Sequence, residues 1–455
     1  MGFDNIEKWS ATYHCLKKWV KFWHDDIFYR DVVVLHPENI PKKGHLIFTP
    51  NHQNALMDAL ALLFTVNRRM VFMARSDIFK KKIIASILYF LRILPIYRIR
   101  DGYDSLKKNK RSFQKTVDVL TSEECALVIL PEGSHAGIRR LRPLKKGFAR
   151  IAFQAEEATN YSLNMQIVPV GIDYSDYEDF RSVLTVHFGK PIAVSKYYDQ
   201  YKESPAVAIN AIKEELSERI KELIIHIETD EYYDTFDSLR IIYLDRFAER
   251  INTEVTNKNK LFLQRAIVNQ LDKCLKTTPE LIKDIDRKVR SYTRKIKQIG
   301  LDLDNEITKP SFFRLLLTFI GLLVTFPVYV YGFVNNLIPI ILSLWSKRWI
   351  KDPQFKSSFL YVVSMLSFPL LNILQAIILS FFINHWYWAL VYLVSLPLSG
   401  FFVMYYHDTT GKFLKKLRVC YLFRKKKTFM ENMEKDYRDI MKQADEIIRP
   451  EAEEL

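Results

Sequence analysis

The chain has 455 residues, with 67 Lys and Arg against 52 Asp and Glu, a net charge of +15 and 49% hydrophobic residues. Those charges are unevenly spread: residues 315–346 and 357–407 contain no Asp, Glu, Lys or Arg, and an uncharged apolar run of about 18 or more residues is long enough to cross a bilayer. This excludes a disordered chain, and four cysteines far apart with no C-x-x-C exclude a disulfide-built module and a zinc ribbon, so no metal is expected.

A basic excess attracts nucleic acid, anionic lipid and phosphorylated substrates alike. No zinc finger, basic zipper or RNP aromatic signature accompanies it, so nucleic acid is not an expected partner. Beside membrane spans, lipid phosphate is.

In chain order, residues 1–30 predict an amphipathic helix. Trp9, Tyr13, Leu16, Val20 and Trp23 form one apolar stripe with Lys17, Lys18 and Lys21 beside it. Such a stripe either lies in a membrane interface or packs on its own domain. The lysines, with Lys8, interrupt the segment too often for a cleavable signal.

Residues 31–200 alternate short β-rich runs with helical patterns. Strands are expected at 32–35, 45–49, 70–74, 93–97, 126–130, 166–171 and 184–188, with helices over 77–91 and 103–120. Alternation of this kind predicts an α/β fold, a sheet covered by helices. Residues 201–310 read as a charged helical region, in which Ile209, Ile212, Leu216, Ile220, Leu223 and Ile227 make a buried stripe.

Residues 311–407 form the expected membrane region of three or four hydrophobic helices, and residues 408–455 a basic, charged helical tail. The run 357–406 is long enough for two helices broken at Asn384-His385. The run 315–345 is interrupted by Pro327, Asn335-Asn336 and Pro339. Lys and Arg flank both apolar segments, including Arg314, Lys347, Arg348, Lys351 and the tail 412–427. Positive flanks belong on the cytosolic side, so the charge pattern predicts two hairpins and a soluble part on the cytosolic face. The run from Arg424 to Lys427 suits anionic membrane lipid.

One constellation carries chemistry. A strand ends in Pro50-Asn51-His52, and Asp58 follows in the first turn of a helix. A carboxylate can hold histidine Nδ1 and leave Nε2 as a base. That is a hydrolase triad without its nucleophile, so the acceptor must bring its own hydroxyl. A capping Asp with an incidental His six positions away would look the same. The segments that follow distinguish the two: Pro95-Ile96-Tyr97-Arg98, then Leu130-Pro131-Glu132-Gly133-Ser134-His135, then Lys145-Lys146-Gly147, then Ile167-Val168-Pro169.

Taken together, these blocks resemble the glycerolipid acyltransferase superfamily over roughly residues 30–192. Asn51, His52 and Asp58 match its first block, Arg98 its second, residues 130–134 its third and Pro169 its fourth. Five residues separate His52 from Asp58 where four are usual, which resembles the fungal-type glycerol-3-phosphate acyltransferases. Arg92 stands where the second block has Gly, and His135 where the third has Arg.

The resemblance implies a membrane-bound enzyme of phospholipid synthesis with no cofactor. It would move an acyl chain from an acyl-CoA or acyl carrier protein thioester to a glycerol-phosphate or lysophospholipid acceptor. His52 would be the general base, oriented by Asp58. Asn51, Arg98, Glu132, Gly133, Ser134, His135, Lys145 and Pro169 would bind substrate, and backbone N–H groups near Gly133 would hold the oxyanion. Other readings are an enzyme remodelling another lysophospholipid, or a catalytically silent lipid-binding or scaffold protein.

Overall fold

At the centre of the computed structural model, which describes residues 3–96, 105–134, 137–303 and 310–449, lies a strand buried along its whole length, β2 (Leu46–Pro50). Before it come α1 (Ala11–Phe22) and β1 (Asp31–Leu35). After it come α2 (Ala55–Thr65), β3 (Arg69–Arg75), α3 (Lys82–Phe90), β4 (Ile93–Ile96), α4 (Ser105–Thr121) and β5 (Cys125–Val128). The unit continues through α5 (Gly147–Ala158), β6 (Gln166–Tyr174), β7 (Val183–Phe188), β8 (Ile192–Ala193), α6 (Tyr198–Glu203) and α7 (Pro205–Lys221). Every expected strand is present, and the short β8 is added.

The strand order is β1-β7-β6-β2-β5-β3-β4, with β8 beside β6. Pairing is parallel except where β6 meets β7 and β8. A sheet with both faces covered needs near-continuous apolar strands, and β2, β5 and β7 are buried at every position. Parallel pairing of β5 and β6 with β2 brings the C-terminal loops of all three to one edge of the sheet, where α/β proteins bind ligands.

Two compact units make up the chain. The first is Met1–His226 with Asp352–Ser358, and the second is Ile227–Lys351 with Phe359–Leu455. Within the first, the predicted stripe of α7 is buried at Ile209, Ile212, Leu216 and Ile220 in the same core as α5. Gly171 on β6 is required there, because an added Cβ would stand 2.6 Å from the Leu223 carbonyl oxygen.

The second unit contains α8 (Tyr233–Ile242), α9 (Leu244–Arg250), α10 (Lys260–Thr277), α11 (Pro279–Gln298), α12 (Phe312–Ser346), α13 (Lys356–Ser380, from Phe359 onward), α14 (Trp386–Lys425) and α15 (Lys427–Ile447). Helices α12, α13 and α14 are long and apolar enough to cross a membrane. Helices α12 and α14 pack antiparallel: Tyr329 stacks on Tyr406 at 4.3 Å, Phe319 on Phe413 at 6.3 Å, and Gly332 lies directly against Ser399. Helix α15 returns to α11 through Lys295–Asp436 at 2.6 Å and Lys288–Gln443 at 2.7 Å.

The expected hairpin over 315–345 is instead one helix of 35 residues, about 50 Å long. Proline does not break it, because the carbonyl freed by Pro339 finds another donor. Pro339 has no N–H for the Asn335 oxygen four residues back, and that oxygen accepts the Gln375 Nε2 hydrogen of α13 at 2.9 Å. Asn336, read as part of a turn, donates to Gly332 O within its helix and to Leu396 O of α14. The run 357–407 does divide near Asn384-His385, so among the described residues there are three apolar helices of membrane-spanning length where two hairpins would give four. Helix α14 also continues past residue 407 to Lys425, carrying most of the basic run.

Candidate active site

The chain leaves β2 at Pro50, and Asn51 ties this exit to the neighbouring strand. Its Nδ2 donates to Ile172 O at 3.0 Å and its Oδ1 accepts from Ile172 N at 2.6 Å. The next residue, His52, has its side chain 18% exposed, and its Nδ1 lies 2.8 Å from Oδ2 of the fully buried Asp58. The same Oδ2 accepts from the backbone N–H groups of Gln53 at 2.7 Å and Asn54 at 2.8 Å. The other oxygen, Oδ1, accepts the Tyr174 hydroxyl hydrogen at 2.8 Å.

Four donors therefore hold one buried carboxylate. A buried charge is tolerated only when its lone pairs are matched. The extra residue between His52 and Asp58 is absorbed at Ala55, whose φ of 43° is left-handed, a conformation that costs an L residue roughly 1 kcal/mol or more. The hydroxyl of Tyr174 is pushed well above its ordinary pKa by burial and by the Asp58 carboxylate, so it stays protonated and donates.

The P-E-G loop leaves the neighbouring strand β5 beside His52. Glu132 is buried, and both its oxygens are committed to backbone: Oε1 accepts from His52 N at 2.6 Å and Oε2 from Arg142 N at 2.9 Å. Burial pushes its carboxyl up to about 7, against the opposing pull of those two N–H groups. Gly133 adopts a φ of 67°, a turn that favours glycine, and its N–H donates to Leu130 O at 3.2 Å. That hydrogen bond occupies the Gly133 amide within its own loop. Lys145 N donates to Pro131 O at 2.8 Å and closes the loop.

Beside this pair opens a cavity of about 1060 Å³, at the upper end of the ~300–1,000 Å³ usual for ligand sites. Its walls are mainly aliphatic, from Leu16 and Val20 of α1 through Leu60 and Leu63 of α2 to Leu88 of α3 and Leu91 just after it. His52, Gly133, Ser134 and Lys145 line the same cavity. Lys17 of α1 also lines it, and burial together with the charge of Arg92 lowers its pKa. The apolar stripe of α1 thus faces its own domain at Tyr13, Leu16 and Val20, while Trp9 remains exposed.

Of the residues singled out from sequence, His52, Asp58, Glu132, Gly133, Ser134 and Lys145 converge here. Asn51, Glu132 and Pro169 do not line the cavity; they brace it. Pro169 lies in the middle of β6, opposite Thr49, and accepts from Gly189 N at 2.9 Å. Arg98 and His135 lie outside the described residues. Arg92 has a φ of 61°, so the backbone that glycine would favour is kept without glycine. Its guanidinium stacks 4.5 Å from the Tyr13 ring centre, and Nη2 donates to Lys8 O at 2.7 Å.

Tyr174, Gln53 and Asn54 carry no motif and were not expected. The only sequence signal was their position at strand ends flanking the His52 loop. Ser357 was likewise unforeseen; its Oγ donates to Asn54 Oδ1 at 2.5 Å from a point 303 residues away.

A mixed α/β sheet with a histidine–carboxylate pair on an apolar cavity is the class these features define. Residues 31–173 match the family described as Acyltransferase. Among its relatives, Glycerol-3-phosphate O-acyltransferase 2 of Saccharomyces cerevisiae is 26% identical over 228 residues, covering 49% of this chain and 29% of that protein. Glycerol-3-phosphate O-acyltransferase 1 of the same yeast is 23% identical over 368 residues, covering 75% of this chain and 47% of that protein. The chain therefore spans less than half the length of either curated relative. A crystal structure of the 1-acyl-sn-glycerophosphate (LPA) acyltransferase PlsC from Thermotoga maritima is 19% identical, with a TM-score of 0.32, covering 45% of this chain and 78% of that one.

Proposed function

We propose that the protein is a membrane-bound O-acyltransferase of phospholipid synthesis, with its catalytic domain on the cytosolic face. It moves a fatty acyl chain from a CoA or acyl carrier protein thioester to glycerol-3-phosphate or 1-acylglycerol-3-phosphate. The observation that carries this reading is the His52–Asp58 pair in the wall of a large aliphatic cavity, where each methylene of an acyl chain gains about 0.8 kcal/mol on burial. The similarity to two glycerol-3-phosphate acyltransferases supports the acceptor class.

In this mechanism Asp58 holds Nδ1–H, so Nε2 of His52 takes the proton of the acceptor hydroxyl as that oxygen attacks the thioester carbonyl. A tetrahedral oxyanion forms. Its collapse breaks the carbon–sulfur bond, and the imidazolium returns the proton to the departing thiolate. Asp58 stabilises the transient imidazolium. Lys145 and Ser134 line the same cavity as His52 and suit an anionic head group; Arg98 takes the acceptor phosphate by resemblance.

The test is acyl transfer by the purified chain, with both donor types and both acceptors assayed side by side. His52→Ala should lower kcat by roughly 10²–10⁴, whereas unchanged turnover would end the general-base assignment. Arg98→Ala should act mainly through the KM for the acceptor.

A further inference from the structure

Helix α3 and the turn before it are apolar on two sides. Inward, Leu88 and Leu91 line the cavity, and Phe90 packs edge-on against Tyr13 of α1 at 6.1 Å. Outward, Ile83 is 77% exposed, with Ile84 and Ile87 also exposed; Ile78, in the turn before the helix, is exposed and lines the cavity as well. Ile83, Ile84 and Ile87 stand at i, i+1 and i+4, one face of a single turn. A helix that is hydrophobic all round belongs between two apolar surroundings, and among the described residues only the inner one is protein.

The charge beside this face says what the outer one is. Lys80, Lys81 and Lys82 run directly into the helix and are exposed. The nearest acid in sequence, Asp77, is paired with Arg75, and the ion pairs among the described residues do not include these lysines. An aliphatic face bordered by lysines is the composition of a segment lying in an anionic membrane interface, and the chain carries three helices of membrane-spanning length.

We propose that Ile78, Ile83, Ile84 and Ile87, with Lys80, Lys81 and Lys82, dock the first unit onto an anionic bilayer surface. The thin wall of α3 then separates the lipid phase from the cavity, and acyl-bearing substrate enters alongside it. The docking stands on these side chains alone; the entry route rests on the acyl-transfer reading above.

The experiment uses the full chain in nanodiscs of phosphatidylcholine, or of equimolar phosphatidylcholine and phosphatidylserine, with Cys15 and Cys420 replaced by Ser. An environment-sensitive fluorophore is placed at Ile83→Cys, Ile87→Cys or, as a control on the exposed polar surface of α6, Gln200→Cys. Spin-labelled lipid should quench the labels at 83 and 87 and not at 200, more strongly in the anionic discs. Labels at 83 and 87 quenched no more than the control would overturn the docking, and so would a buried, unquenched label, which would mean a protein partner. Equal quenching in both lipids would overturn the role of the lysines.

As a second measure, the double variant Ile83→Glu, Ile87→Glu should lose at least about tenfold in acyl transfer in bilayers and keep its rate in detergent micelles. Equal loss in micelles would mean damage to the fold and overturn the docking role. If the unaltered chain transfers no acyl group in either medium, the acyl-transfer reading fails, while the quenching result still decides the docking.

Discussion

Tyr174 donates to Oδ1 of Asp58 at 2.8 Å, on the opposite side of the carboxylate from His52. The tyrosine closes the far end of β6 and is fully buried. Removing its hydroxyl leaves one oxygen of a buried carboxylate without its donor.

Tyr174→Phe should therefore lower stability by roughly 1–3 kcal/mol, the cost of leaving a buried polar group without its partner, and lower kcat with it, because the carboxylate that orients His52 is held less firmly. Denaturant midpoints and kcat measure the two effects. An unchanged midpoint would mean that the hydroxyl contributes nothing to the Asp58 site.

Glu132 provides a pH dependence of the opposite kind from an ordinary carboxylate. Burial raises it from 4.5 to about 7, so between those values the folded chain holds a proton that the unfolded chain has released. Its contribution to stability is fully present below 4.5 and is lost as pH rises to about 7, on the order of 3 kcal/mol in all. Glu132→Gln cannot titrate, and its thermal unfolding midpoint in detergent should lose that part of the slope between pH 4.5 and 7. An identical slope in both proteins would locate the titration elsewhere.

Arg92 sits in a left-handed conformation at 61°, so its side chain has to compensate for the strain of its own backbone. Arg92→Ala removes the stacking on Tyr13 and keeps the strain. Arg92→Gly removes the stacking and relieves the strain. The glycine variant should be more stable than the alanine variant by about 1 kcal/mol, with the arginine above both, as read from denaturant midpoints.

Gly332 lets α12 approach α14 closely, since an added Cβ would lie 2.7 Å from the Ser399 carbonyl oxygen. Small residues allow such approach between membrane helices. Gly332→Leu should separate the two helices and reduce the yield of monodisperse protein in detergent by gel filtration. Gly321→Leu, on the same helix with open space around it, should behave as the unaltered chain does.

What could be read along the chain was whatever depends on local periodicity. Alternating apolar runs located the strands, the stripe at 209–220 located a buried helix face, and the uncharged runs located the apolar helices. The strand-end His52 with Asp58 was also visible, because a histidine and a carboxylate six positions apart across a strand–helix turn can meet without help from elsewhere. Glu132 was recognisable as a motif residue but not by its contacts: its oxygens bind the N–H groups of Arg142, ten residues on, and of His52, which only the parallel pairing of β2 with β5 brings within reach.

The sequence by itself determined the alternation of strands and helices, the membrane-length segments and the His52–Asp58 pair, since each follows from residues near in the chain. Tertiary structure alone decided that Asn51 and Glu132 brace the loops and do not line the cavity, that Tyr174 completes the Asp58 shell, and that α12 runs unbroken through Pro339. In each case a deciding partner is a backbone or side-chain group dozens of residues away: Ile172 for Asn51, His52 for Glu132, Asp58 for Tyr174, Gln375 for the carbonyl Pro339 leaves open. Buried polar groups must find partners wherever the fold supplies them, and no local pattern records where that will be.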